Sequence, residues 1–173
     1  KFVRAAPGGV GFAKAAGNYG AAMYATKKEK KQGYDQVLWT DAFEHNYVQE
    51  IGTMNVFFII GNTAVTPDLS SGTILAGITR DTAITMLREA GLKVEERPIS
   101  MDEVAASYDE GKLTEVFGTG TAATVSLIKE LKFKEKIMFF DTSNAPVSAT
   151  LKQNLADIKE GKLPDTHGWL YKI

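Results

Sequence analysis

The sequence runs to 173 residues, room for one sizeable domain, and at that length folding buries roughly two thirds of the unfolded surface. Lys+Arg at 20 against Asp+Glu at 21 leaves a net charge of −1, so nucleic acid or an anionic membrane meets no broad attracting field. With no cysteine there is no disulfide, thiolate metal site or cysteine nucleophile, and His45 and His167 stand too far apart for metal-ligand spacing.

Lys1-Phe2-Val3-Arg4 leads straight into Pro7-Gly8-Gly9 without a signal-peptide pattern, and an opening Lys reads as a processed or excised chain. Residues 17–32 read as a helix, with Asn18 as its cap, an Ala-rich body and a terminating Gly33. Its Lys27-Lys28-Glu29-Lys30-Lys31 end reads as a solvated last turn that complements the helix dipole. Residues 36–40, 47–51 and 55–60 are rich in Val, Ile, Phe, Trp and Tyr and predict strands. A second helix opens at Gly77-Ile78-Thr79-Arg80 and runs to Gly91. Residues 94–99 alternate as a strand, and Ser100-Met101-Asp102-Glu103 is a capping box that opens a short helix. Strands at 115–117 and 124–128 and a closing amphipathic helix at 145–159 complete the pattern. Strands and helices interleave throughout, which predicts one α/β domain with a mixed (α+β) sheet over residues 1–173. No charge-poor stretch reads as a membrane span.

Three stretches are nearly devoid of charge in a chain that is 24% charged. From 5 to 26 the only ionisable side chain besides tyrosine is Lys14, and from 46 to 67 the only charge is Glu50. From 116 to 128 there is none, although Thr119, Thr121, Thr124 and Ser126 supply hydroxyls. Burying a charge is costly unless it is paired or its pKa moves, so Lys14 and Glu50 read as partly buried. Two readings stay open here. Either the two residues pair with each other or reach water from loops, or Lys14 is a desolvated amine suited to Schiff-base chemistry and Glu50 its counterpart on a bound cofactor.

Phosphate-binding signals separate by context. Gly9-Val10-Gly11-Phe12-Ala13-Lys14 fails the P-loop pattern, since no Gly precedes the Lys and no Ser or Thr follows it. Gly118-Thr119-Gly120-Thr121-Ala122-Ala123 matches a permissive dinucleotide fingerprint, but β-branched residues follow where a helix is needed, and too little chain remains. Leu75-Ala76-Gly77-Ile78-Thr79-Arg80 is the better candidate, because the free amides of a helix's first turn suit a phosphate.

Six blocks carry a resemblance: Phe12-Ala13-Lys14, Gly17-Asn18-Tyr19-Gly20, Gln36-Val37-Leu38-Trp39, the run from Glu50-Ile51-Gly52-Thr53 through Met54-Asn55-Val56-Phe57, Leu75-x-Gly77-Ile78-Thr79-Arg80, and Phe117-Gly118-Thr119-Gly120-Thr121-Ala122. In this order, from about Val3 to Ile173, they resemble the branched-chain amino acid aminotransferases, which are fold-type IV pyridoxal-phosphate enzymes. The resemblance implies the large, cofactor-binding domain, a pseudo-barrel of mixed strands flanked by helices. It implies that Lys14 carries pyridoxal 5'-phosphate as a Schiff base, that Tyr19 hydrogen-bonds the cofactor's phenolic oxygen, and that Glu50 pairs with the pyridine nitrogen. Ile78 and Thr79 match the backbone cup for the phosphate, with Thr121 beside it. Ala122 matches a donor to the substrate carboxylate, and Thr53 lies near the substrate.

The activity so implied is transamination of Leu, Ile or Val with 2-oxoglutarate, in a cytoplasmic enzyme that is a homodimer when the full chain is present. Its partners are small amino and 2-oxo acids, with no nucleic acid, membrane or metal. A D-amino acid aminotransferase or lyase of the same fold, a non-catalytic cofactor-binding module, and a dinucleotide-dependent oxidoreductase are the alternatives. Two departures stand out. Ala123 and Ser126 occupy the positions where some members carry a Cys-x-x-Cys pair, and the family's N-terminal domain is expected to be absent. That absence predicts weak cofactor binding and little turnover for the 173 residues alone.

Overall fold

A computed structural model describes residues 2–171. The Ala-rich run forms α1 (Ala16–Lys30), with Lys27, Lys28 and Lys30 in its last turn as expected. Its cap is not Asn18. The helix starts from Ala15 without a capping side chain, and Asn18 is buried, its Nδ2 donating to the carbonyls of Val10 (2.9 Å) and Ala13 (3.1 Å). One turn into a helix, a short amide reaches back more readily to the incoming loop than to the helix's own amides.

β1 (Leu38–Thr40) and β2 (Val48–Ile51) form an antiparallel pair. A tight turn at Gly52-Thr53 leads into β3 (Asn55–Ile60), closed by reciprocal bonds of 2.9 Å between Ile51 and Met54. β4 (Thr63–Thr66) pairs back on β3, and α2 (Ile78–Glu89) then carries the chain across to β5 (Lys93–Glu96). That crossover makes β4 and β5 parallel. α3 (Met101–Asp109), β6 (Leu113–Gly120) and β7 (Thr124–Leu127) follow, then the hairpin β8 (Glu130–Phe133) and β9 (Lys136–Phe139), and finally α4 (Pro146–Lys159). The main sheet runs β5-β4-β3-β6-β7, mixed as predicted and antiparallel except at β4–β5.

Alternation along β3 and β6 divides the core into two. Phe57, Ile59 and Phe117 point to the side covered by Ala83, Ile84 and Leu87 of α2 and by Leu151 and Leu155 of α4. Val56, Phe58 and Val116 point to the side covered by Met101 and Val104 of α3 and by Leu131 and Met138 of the β8–β9 hairpin. Several boundaries move. The strand expected at 94–99 ends at Glu96, because Pro98 has no N–H for the ladder, while the Ile99 carbonyl accepts from Val48 N at 2.9 Å. Ser100 caps α3 through Glu103 N at 3.0 Å, but the Glu103 carboxylate turns to Arg97 rather than back to the cap. The 115–117 strand extends to eight residues, and the strand expected at 124–128 is Thr124–Leu127, which leaves the dinucleotide fingerprint without its helix.

Candidate active site

The loop before α1, β2 and the segment from β4 to α2 are tied together by hydrogen bonds and one ion pair. Glu50 on β2 is the centre. It is 4% exposed, and its Oε1 accepts from Leu75 N (2.8 Å) and pairs with Arg4 Nη2 (3.0 Å). Oε2 accepts no hydrogen bond from the described residues. Burial pushes the Glu50 carboxyl above the ordinary carboxylate range, and the Leu75 N–H and the Arg4 guanidinium only partly offset it.

The partner of Glu50 is thus Arg4, not Lys14. Arg4 is 5% exposed, and its Nη2 also donates to the carbonyls of Gly11 (3.1 Å) and Thr73. One guanidinium therefore ties the Lys14 loop, Glu50 and the approach to α2 together. The packing there is tight: a Cβ at Gly11 would come within 2.6 Å of Ala5 Cβ and the Thr73 carbonyl. Lys14 is exposed, three residues beyond Gly11, and its amine has no hydrogen bond or ion pair among the described residues. The expectation of a partly buried lysine is corrected, since its Gly- and Ala-rich neighbours leave it open to solvent rather than enclosing it.

Tyr19 sits half-buried in the first turn of α1. Thr53 is exposed at the β2–β3 turn, and Thr121 and Ala122 are exposed in the β6–β7 turn. That turn is tied in from below, since Asn55 of β3 stands in register with Thr119, two residues before Thr121. α2 opens on Gly77, which brings no capping side chain, so the amides of its first turn have neither an intrahelical nor a side-chain acceptor. Ile78 is exposed and Thr79 half-buried at this end. An uncapped helix N-terminus and a buried carboxylate with one unengaged oxygen lie on either side of Leu75. An anion suits the first and a protonated nitrogen the second.

Arg4 and Asn55 were not singled out from sequence. Arg4 lies one residue before the charge-poor stretch that drew attention to Lys14, and its signal was a lone cation among Val3, Ala5 and Ala6. A groove of about 590 Å³, lined by Tyr34, Met54, Ser126 and Glu130 among others, contains none of the candidate residues.

The amino-transferase class IV family matches residues 9–131. The chain is similar to "Branched-chain-amino-acid transaminase 1" of Bacillus subtilis (strain 168), 48% identical over 100% of this chain and 49% of that protein. Its fold is similar to the branched-chain amino acid aminotransferase of Escherichia coli, with a TM-score of 0.84 and 28% identity over 99% of this chain and 53% of that one. It is also similar to a second solved branched-chain amino acid aminotransferase, complexed with N-(5'-phosphopyridoxyl)-L-glutamate, at TM-score 0.82, 26% identity, and 99% and 53% coverage. The chain spans about half the length of the curated relatives it matches.

Proposed function

Because the chain belongs to the class IV amino-transferases, we propose that it is the cofactor-binding half of a branched-chain amino acid aminotransferase, exchanging an amino group between Leu, Ile or Val and 2-oxoglutarate. The observation that carries the proposal is Glu50, a buried carboxylate with one oxygen engaged and one not, set beside the uncapped start of α2. The phosphopyridoxyl group in the complexed relative has the matching chemistry, a phosphate at one end and a ring nitrogen at the other.

Pyridoxal phosphate, when bound, supplies the electron sink for the electrons released as the substrate Cα–H bond breaks. The chain's residues do the rest. Glu50 Oε2 would accept a hydrogen bond from the protonated ring nitrogen, and the carboxylate charge would keep that proton on the ring. The amides of Ile78 and Thr79, with the Thr121 hydroxyl, hold the phosphate, and Tyr19 Oη donates toward the ring's oxygen. Lys14 Nζ would hold the cofactor and, once displaced by the substrate amine, would be free to take the Cα proton and return it one position away. The Ala122 N–H orients the substrate carboxylate, and Thr53 lies near the substrate. A large domain completed by the further length that the relatives possess, working as a cytoplasmic homodimer on small amino and 2-oxo acids, is the setting for this chemistry.

The test is a titration of the protein with pyridoxal 5'-phosphate. A saturable visible absorbance band in the wild type that disappears in Lys14→Ala is expected. A band that survives Lys14→Ala, or none in the wild type, overturns the assignment.

A further inference from the structure

Asn55 is a polar side chain where the fold offers an apolar place. It shares the α2 side of the sheet with Phe57 and Ile59, and it is 6% exposed. Thr119, opposite it in register, is also buried and its hydroxyl has no partner among the described residues. Burying an amide is unfavourable unless it is hydrogen-bonded, so its partner identifies its task. Asn55 Nδ2 donates to the Leu75 carbonyl at 2.9 Å. The other end of that residue, the Leu75 N–H, is held by Glu50 at 2.8 Å. Asn55 Oδ1 packs so closely against Gly77 that a Cβ there would lie 2.3 Å from it. Only a glycine permits that approach without a shift of the amide.

We propose that Asn55 is a positioning residue for the anion-binding end of the site: with Glu50 it grips Leu75 from both sides and sets where the Ile78 and Thr79 amides point. The inference rests on the functional reading above, in which those amides hold the cofactor phosphate. Glu50 alone would anchor the ring-nitrogen end while the turn leading to α2 swung about Leu75. Asn55 removes that freedom, so the distance between the carboxylate and the helix N-terminus becomes a property of the folded protein rather than of the ligand. Pre-organised amides bind an anion without an ordering cost at the moment of binding.

Two ligands separate this role from a general structural one: pyridoxal 5'-phosphate and its phosphate-free counterpart, pyridoxal. Asn55→Asp keeps the shape but places an acceptor against the Leu75 carbonyl. Gly77→Ala keeps Asn55 but displaces its amide. Each variant is expected to lose about tenfold in affinity for pyridoxal 5'-phosphate, the scale of one lost hydrogen bond, with affinity for pyridoxal changed by less than about twofold. Glu50→Gln is expected to weaken both ligands alike. Equal losses for both ligands in Asn55→Asp, or no loss, would overturn the proposal. Hydrogen exchange of the ligand-free protein gives a readout that does not depend on cofactor binding. Amides from Leu75 to Thr79 should exchange faster in both variants, and unchanged exchange refutes the positioning role even if the wild type binds neither ligand.

Discussion

Glu50 and Glu115 are both 4% exposed, and both lie on strands and accept backbone amides from a segment that begins a helix. They differ in how completely the protein uses them. Glu115 Oε1 accepts from Val147 N (2.9 Å), while Oε2 accepts from Ser148 N (2.8 Å) and Ser148 Oγ (2.5 Å). Both oxygens are engaged by the N-terminus of α4, where the helix dipole favours an anion. Glu50 engages Leu75 and Arg4 through one oxygen and leaves the other without a partner among the described residues. A buried carboxylate that is saturated is a structural cap. One that is half-saturated, yet already held in place by the fold, is a built acceptor.

The same isosteric substitution should separate the two. In Glu115→Gln an N–H₂ group must face the donors of the α4 N-terminus, and the loss of a charge-assisted cap is expected to cost about 3 kcal/mol. That is a fall of about 6–12 °C in melting temperature for a chain of this size, read by calorimetry. In Glu50→Gln the amide oxygen can still serve Leu75, but the buried Arg4 loses its countercharge, so a stability loss of about 3 kcal/mol is expected here too. Chemistry separates the two: below the melting transition, turnover of the complete enzyme should fall about a hundredfold or more in Glu50→Gln, the scale of one pre-organised charge contact, and be kept in Glu115→Gln. Equal turnover losses for the two variants would break the distinction.

Asp41 offers a smaller and sharper contrast, a carboxylate saturated at the surface. Burial pushes its carboxyl up, but the amides of Glu44, Asn46, Tyr47 and Phe43 outweigh this and hold it at about 2 against an ordinary 3.8. A depressed folded pKa means stability that is complete above the unfolded value and lost as pH falls through the folded one. Melting temperature should therefore decline between about pH 4 and pH 2. Asp41→Asn should cost about 1 kcal/mol at neutral pH, discounted for solvent at the loop surface, and should flatten that decline. An unaltered acid slope in Asp41→Asn would assign it to other carboxylates.

Much of the fold was legible because its strands and helices carry period. The three strands that went unread each lacked a clear outline. β4 is four residues between Gly61-Asn62 and Pro67, and β8 and β9 alternate so heavily with Lys and Glu that Leu131 and Met138, the residues facing the core, are outnumbered. Local composition read the burial of Glu50 correctly but misjudged that of Lys14, because small apolar neighbours mark space as readily as burial. The pairing of Arg4 with Glu50, 46 residues away, had no local sign, and neither did the hold of Asn55 on Leu75. Contacts between distant segments are made by the sheet, and only the folded register reveals which polar residues meet.

Borohydride reduction of the protein in the presence of pyridoxal 5'-phosphate, followed by peptide mapping, tests the central assignment most directly. Lys14 stands alone between residues 5 and 26, while Lys27, Lys28, Lys30 and Lys31 form an internal control more than ten residues downstream. The expected result is a single stable adduct on the peptide carrying Lys14, reduced in Glu50→Gln and intact in Glu115→Gln below its melting temperature. An adduct confined to the Lys27–Lys31 cluster, or spread evenly over all the lysines, would contradict a cofactor site built around Glu50 and the start of α2.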